Sequence, residues 1–221
     1  MVLTRSQAER YYNRFGKKQD TQSFYEDAAL NELIAHASFE SAESVLELGC
    51  GTGRFASRLL SEHLPSTASY LGVDLSRTMV ELAQERLAPY AGRSKVVLTD
   101  GSMVFPAANR SVDRVVSTYV LDLLSESDIH QAISESRRVL SPNGRLCLVS
   151  LTSGTTLASK LVSTMWSQVF RLHAPLVGGC RPIQLLAALG QGNWSVIYRN
   201  VITRWGVPSE VLIASPMSVF L

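Results

Sequence analysis

Three glycines at alternate positions, Gly49, Gly51 and Gly53, stand behind an acid, Glu47, in the stretch VLELGCGTGRFA, Val45 to Ala56. Glycine lacks a Cβ, so such a backbone can pass close beneath a ligand and can take positive φ. A second acid, Asp74, lies 21 residues beyond Gly53. An ionised carboxylate offers two acceptor oxygens, which suits the two hydroxyl donors of a ribose. A third acid opens the turn Asp100-Gly101-Ser102. Further on, Thr118, Tyr119 and Asp122 form a cluster in which Asp122 could act as a general base or orient an amine. His173 is a second candidate base, and Arg181 could hold a carboxylate or phosphate. Each also has a structural reading: Asp74 and Asp122 as helix caps, Asp100 as a turn residue, and Tyr119 and His173 as packing residues.

The elements that must position these groups follow from hydrophobic period. Val45–Leu48 is a strand-length apolar run, and Phe55, Ala56, Leu59 and Leu60 then fall on one helical face. The unit is strand, glycine turn, helix, and the helix aims its free N–H groups at whatever sits over the turn. Ser69–Val73 is the second strand, ending at Asp74, and Ser76 can cap the helix Thr78–Leu87 by itself, which frees Asp74. Lys95–Leu98 and Val112–Ser117 are strands three and four. Asp128–Leu140 is an amphipathic helix, Ser141–Gly144 a turn, and Arg145–Leu151 strand five. This alternation predicts a doubly wound parallel sheet, whose ligands bind beyond the carboxyl ends of the strands.

The flanks differ from this core. Gln7–Phe15 and Phe24–Ala37 read as helices, joined by a solvated connection holding Lys17, Lys18 and Asp20. Tyr11, Tyr12, Phe15 and Tyr25 either pack these helices on the core or close a lid over a cationic ligand. Ser153–Leu189 is helical and apolar, broken by Pro175, Gly178, Gly179 and Pro182. Its Val162, Met165, Trp166, Val169, Phe170 and Leu172 give more apolar surface than one helix face needs. Trp194–Tyr198, Val201–Trp205 and Glu210–Ala214 read as strand around the turn Gly206-Val207-Pro208.

Bulk properties bound the rest. A chain of 221 residues with 46% hydrophobic and 18% charged residues is globular and long enough for one α/β domain. A net charge of +2 gives no case for nucleic acid. Cys50, Cys147 and Cys180 are too widely spaced for a zinc site or disulfide framework, so no metal is expected and a reducing, cytoplasmic location is. Cys147 reads as a small buried strand residue. The polar N-terminus has no apolar signal core, and no apolar run is long enough to span a membrane. Lys17 and Lys18 would suit peripheral contact with a membrane surface or an anionic headgroup, or a plain solvated face. Oligomeric state is left open.

The order acid-x-G-x-G-x-G from Glu47 to Gly53 resembles the first motif of the class I S-adenosylmethionine-dependent methyltransferases. RYYNRFGKKQD followed by FYED is similar to the N-terminal segment of the small branch that includes the ubiquinone/menaquinone and phosphatidylethanolamine methyltransferases, and RRVLSPNGRLCLVSL is similar to the family's helix–turn–strand after the fourth motif. The resemblance implies a mostly parallel seven-stranded α/β sheet with an antiparallel C-terminal hairpin, helices on both faces, and one domain. Within it, 1–40 would be a helical lid, 43–151 the cofactor-binding core, 152–193 a substrate cap between strands five and six, and 194–221 the hairpin. S-adenosylmethionine would be the cofactor and S-adenosylhomocysteine the product.

The implied cofactor contacts are Glu47, Gly49, Cys50, Gly51 and Gly53 at the methionine end, with Asp74 and Leu75 at the ribose. Asp100, Gly101 and Ser102 would meet the adenine, and Thr118, Tyr119, Tyr12, Phe15 and Tyr25 would surround the rest. Tyr119, Asp122 and His173 are the catalytic candidates; Tyr11, Trp166 and Arg181 are the substrate contacts. The expected acceptor is small and partly apolar: a lipid amine, a quinone precursor or a secondary metabolite. Two other readings stand beside this one. An NAD-dependent oxidoreductase would use Asp74, but its G-x-G-x-x-G fingerprint would place a third glycine where Arg54 stands. A catalytically silent cofactor-binding partner subunit would keep the glycine turn without turnover.

Overall fold

The computed structural model describes residues 2–155, 157–173, 178–190 and 193–217. Helix α1 (Arg5–Phe15) starts from a reciprocal cap between Thr4 and Gln7 and ends at Gly16, which takes positive φ. A 3-10 segment, Gly16–Gln22, leads into α2 (Ser23–Ala37). Five strands follow, with a helix in each connection except that from β3 to β4: β1 (Ser44–Leu48), α3 (Arg54–Arg58, continued by a wider turn to His63), β2 (Ser69–Asp74), α4 (Arg77–Leu87), β3 (Ser94–Leu98), β4 (Val112–Thr118), α5 (Glu126–Val139) and β5 (Leu140–Leu151). Helix α6 (Leu157–His173), the short α7 (Leu185–Ala188) and the hairpin β6 (Trp194–Arg204) and β7 (Val207–Pro216) complete the order. Among the described residues no helix is long and apolar enough to cross a membrane.

The seven strands form one sheet in the order β3-β2-β1-β4-β5-β7-β6. The first five are parallel, and β7 runs antiparallel to both β5 and β6. Alternate strand residues point to opposite faces, so the sheet makes two cores. Val45, Val116, Cys147, Val149, Val211 and Ile213 pack under α2, α3 and α4. Leu46, Val115, Leu146, Leu148, Leu212 and Ala214 pack with Ile129 and Ile133 of α5 and Leu185 of α7. The doubly wound sheet with its antiparallel hairpin is the expected fold. Cys147 is fully buried in strand, and burial pushes its thiol up to about 12.

Four local expectations need correction. Ser141–Gly144 is not a turn between elements. Leu140 pairs with Val112 and Arg145 with Arg114, so these residues bulge out within β5. Trp194–Tyr198 and Val201–Trp205 are one strand, irregular between Val196 and Tyr198. The hairpin turn is Trp205–Gly206, with Val207 and Pro208 already paired to β6. The connection around Lys17 and Asp20 is not merely solvated; it is a 3-10 segment whose Asp20 joins a partly buried ion pair with Arg86. Pro175, read as a helix breaker, lies outside the described residues.

Candidate active site

The carboxyl ends of the parallel strands carry the site. Behind Leu48 the chain crosses to β2, where the N–H groups of Gly49 and Cys50 both donate to the carbonyl of Val73, at 2.8 and 3.1 Å. Gly49, Gly51 and Gly53 all have positive φ, at 70°, 54° and 74°. A Cβ on Gly49 would lie 2.3 Å from Val120, and one on Gly51 would lie 2.8 Å from the Gln19 side chain. Gly53 serves packing instead: a Cβ there would meet the backbone of Ala83 in α4 at 3.0 Å.

Asp74 is held from both sides. Gly51 N–H donates to its Oδ2 at 2.9 Å, and Ser76 N–H donates to its Oδ1 at 2.8 Å. Burial pushes its carboxyl up, and these donors oppose that. Each oxygen keeps a second lone pair, and Asp74 lines the cleft. Ser76 caps α4 through Met79 N–H, so Asp74 does not serve as the cap.

The 3-10 segment after α1 is fastened across this turn. Asp20 takes a 2.6 Å hydrogen bond from the Thr52 hydroxyl and a 2.6 Å ion pair from Arg86, while Arg86 also donates to Thr52 at 2.7 Å. Asn13 of α1 accepts from the Ser76 hydroxyl at 2.7 Å. These ties set Gln19 over Gly51, with its Oε1 buried and without a hydrogen-bond partner. Sequence reading passed over Gln19 and Asp20 because their partners lie 32 and more residues away.

Two compartments meet at Tyr12, Gln19, Gly49, Thr118 and Tyr119, which line both. The first, beside Asp74, is walled by Leu75, Thr99, Gly101, Ser102, Met103 and Phe105. The second holds Tyr25, Glu26, Glu47, Cys50, Arg54 and Cys180. Tyr25 and Tyr119 meet edge to face at 5.7 Å, and Tyr119, itself at positive φ, donates to Ser209 at 2.8 Å. Glu26 pairs with Arg54 at 3.2 Å, yet burial pushes its carboxyl up to about 7. Glu47 accepts from the Tyr70 hydroxyl at 2.6 Å, and burial pushes it up to about 7 as well.

Glu47 therefore favours the folded state in its protonated form. An unfolded carboxyl ionises near 4.3, so stability falls as pH rises from there to about 7 and levels off above. The loss is on the order of 2 kcal/mol between pH 5 and 8, or roughly 5 °C in melting temperature. Glu47→Gln should flatten that decline by about this much, read by thermal scans at the two pH values. An unchanged slope would show that Glu47 is ionised throughout.

Other candidates lie elsewhere. Asp122 is fully buried with one oxygen on Leu151 N–H at 3.1 Å, and burial pushes it up to about 6; it does not line either compartment. His173 is exposed at the end of α6, so Tyr119, Asp122 and His173 do not converge. Arg181 donates to the Asp122 carbonyl at 3.1 Å and Trp166 donates to the Cys180 carbonyl at 3.0 Å, so both fix the 178–181 loop. Tyr11 and Phe15 line a separate surface groove along α1. The Asp100 carboxylate turns back onto Ser102 N–H at 2.8 Å and is absent from the cleft wall. Among the described residues no cluster could hold a metal.

A family model described as a methyltransferase domain matches residues 45–144, the span from the glycine turn to the β5 bulge. Residues 45–144 therefore carry a methyltransferase domain. The chain is 29% identical over 181 residues to a demethylmenaquinone methyltransferase of Thermotoga maritima, covering 80% of this chain and 74% of that one. It is 32% identical to the ubiquinone/menaquinone biosynthesis C-methyltransferase UbiE of Geobacter sulfurreducens, covering 61% of this chain and 51% of that one. It spans about half the length of several such relatives. In fold it is similar to the N-methyltransferase NodS of Bradyrhizobium japonicum, solved with S-adenosyl-L-homocysteine, with a TM-score of 0.66, 17% identity and 87% of each chain covered. The methyltransferase domain thus supplies the two compartments at its sheet edge, and the cradle without Cβ atoms, the Asp74 lone pairs and the unpartnered Gln19 Oε1 fit an adenosyl cofactor with an amino-acid arm.

Proposed function

We propose that this chain moves a methyl group from S-adenosylmethionine to a small, partly apolar acceptor. The observation that carries the reading is the continuous cleft over the glycine turn, with Asp74 at one end and three tyrosines at the other. When bound, S-adenosylmethionine supplies a methyl carbon on a positively charged sulfur, open to in-line displacement by an acceptor lone pair.

The chain's own residues do the positioning. Asp74 accepts from the ribose hydroxyls with the lone pairs left over from Gly51 and Ser76. Leu75, Met103 and the backbone of Gly101 and Ser102 face the base. Gln19 Oε1 takes a donor from the amino-acid arm and so loses its orphan status. Arg54 and the glycine turn hold the carboxylate. Tyr12, Tyr25 and Tyr119 present ring faces to a cation and exclude water. Glu26, near 7, can accept a proton at neutral pH in that compartment; Glu47, raised as far, is already engaged by the Tyr70 hydroxyl. Residues 1–40 act as the cover, fastened by Asp20. The walls around Tyr25 and Tyr119 favour a flat, partly apolar acceptor, and a quinone precursor is supported by two relatives' named reactions. Three free, buried cysteines suit a reducing compartment.

Calorimetric titration with S-adenosylmethionine, S-adenosylhomocysteine and NAD tests the cofactor. Micromolar binding of the first two supports the reading; binding of NAD alone would revive the oxidoreductase. Release of S-adenosylhomocysteine is then followed with a demethylated quinol, an ethanolamine phospholipid and a simple phenol. Cofactor binding without turnover on any of the three would favour a silent partner subunit.

A further inference from the structure

The excess apolar surface of α6 points outward. Its inner side, with Val162 and Trp166, packs toward Leu151, Val207 and Pro208 at the strand ends, and Phe170 is buried. Leu161, Met165, Gln168 and Leu172 recur at helical spacing on the outer side, and the three apolar ones are 63%, 60% and 85% exposed. Gly206 of the β6–β7 turn packs on α6, because a Cβ there would stand 3.1 Å from Val162. Trp205, next to Gly206, is 73% exposed and carries the Arg204 guanidinium over its ring at 5.4 Å. Leu161 and Trp205, both exposed, are the chain neighbours of the two residues in that contact.

Charge is distributed unevenly along the chain. Residues 136–221 hold eight Lys and Arg against a single acid, Glu210, which is buried and paired with Arg199. Residues 1–135 hold 13 basic residues against 18 acids. Lys160 and Arg171 flank the outer stripe, and Arg204 stands at its turn, all exposed. An exposed apolar stripe bordered by cations, with an exposed tryptophan and no acid in that stretch but the buried, paired Glu210, matches an anionic bilayer surface. The nucleic-acid alternative would leave the leucines and methionine in water.

We propose that the outer face of α6 and the Trp205 turn dock this chain on an anionic membrane surface. On the inner side of that helix, Trp166 donates to the carbonyl of Cys180, which lines the tyrosine compartment.

The full chain is sedimented with vesicles of phosphatidylcholine alone and of phosphatidylcholine mixed with phosphatidylglycerol. Binding is expected to the mixed vesicles, to weaken with added salt, and to blue-shift tryptophan emission in a way that W205F abolishes. The pairs L161Q with M165Q and K160E with R204E should each lower partition by about tenfold or more at unchanged melting temperature. A wild-type chain that stays in the supernatant with both vesicles overturns the proposal. So does equal binding by the variants. So does a wild-type dimer that L161Q with M165Q converts to monomer, which would make a second copy the occupant.

Discussion

Gly51→Val should leave the chain folded and remove its affinity for S-adenosylmethionine. Gly51 sits at φ 54°, a region closed to a β-branched residue without strain. Its Cβ would arrive 2.8 Å from Gln19 Oε1, and the side chain would project into the compartment beside Asp74. Gln19 can swing aside, since its end is flexible, so the chain survives the substitution. The ligand path cannot shift, because Gly51 N–H is tied to Asp74 and Gly49 to Val73. Affinity should fall by more than about a hundredfold, beyond roughly 2.7 kcal/mol. The check is titration calorimetry beside circular dichroism. Normal affinity in a folded variant would move the ligand off the glycine turn.

Asp74→Ala has the second largest effect, and it acts twice. It deletes the carboxylate proposed to meet the ribose, and it strands the N–H groups of Gly51 and Ser76 that now donate to it. Charge-assisted hydrogen bonds of this kind are worth about 1.5–3 kcal/mol, so binding should weaken roughly tenfold to a hundredfold. Stability should also drop by about 1–3 kcal/mol in denaturant titration. Asp74→Asn separates the two effects. Its amide keeps one acceptor and returns part of the stability, while the pair of acceptors needed for a diol is gone. A variant with unchanged affinity for both S-adenosylmethionine and S-adenosylhomocysteine would remove Asp74 from the ribose.

The legible part of this molecule is the part whose logic is local. Apolar runs, the glycine turn and the Ser76 cap are set by neighbours within a few residues, and they fixed the order and direction of the first five strands. Glu47 was legible as the acid before the glycines and Glu26 was not, and nothing in the spacing of either says that both are buried with raised carboxyls. The fastening of Asp20 to Thr52 and Arg86 joins residues 32 and 66 apart, so no window of sequence contains it. Arg181 and Trp166 read as substrate contacts because long polar or aromatic residues in a loop invite that reading. Their hydrogen bonds to the carbonyls of Asp122 and Cys180 make them braces instead. His173 failed for a simpler reason: a helix end places it in water, and α6 gives it no partner in the cleft.

The position of β7 bears on how this molecule is made. β6 precedes β7 in the chain but lies outside it, at the sheet edge. As the polypeptide leaves the ribosome, β6 emerges with no hydrogen-bonded neighbour, and Val196 and Ile197 along it stay exposed even in the finished fold. Only when residues 207–216 follow can the edge be zipped to β5, across pairs such as Cys147 with Ile213 and Asn200 with Val211. During that interval the nascent sheet has two open edges of bare backbone, at β3 and at β5. A stop within β7 therefore costs two strands rather than one, and a pause just before it leaves an apolar ribbon free to pair with the wrong neighbour.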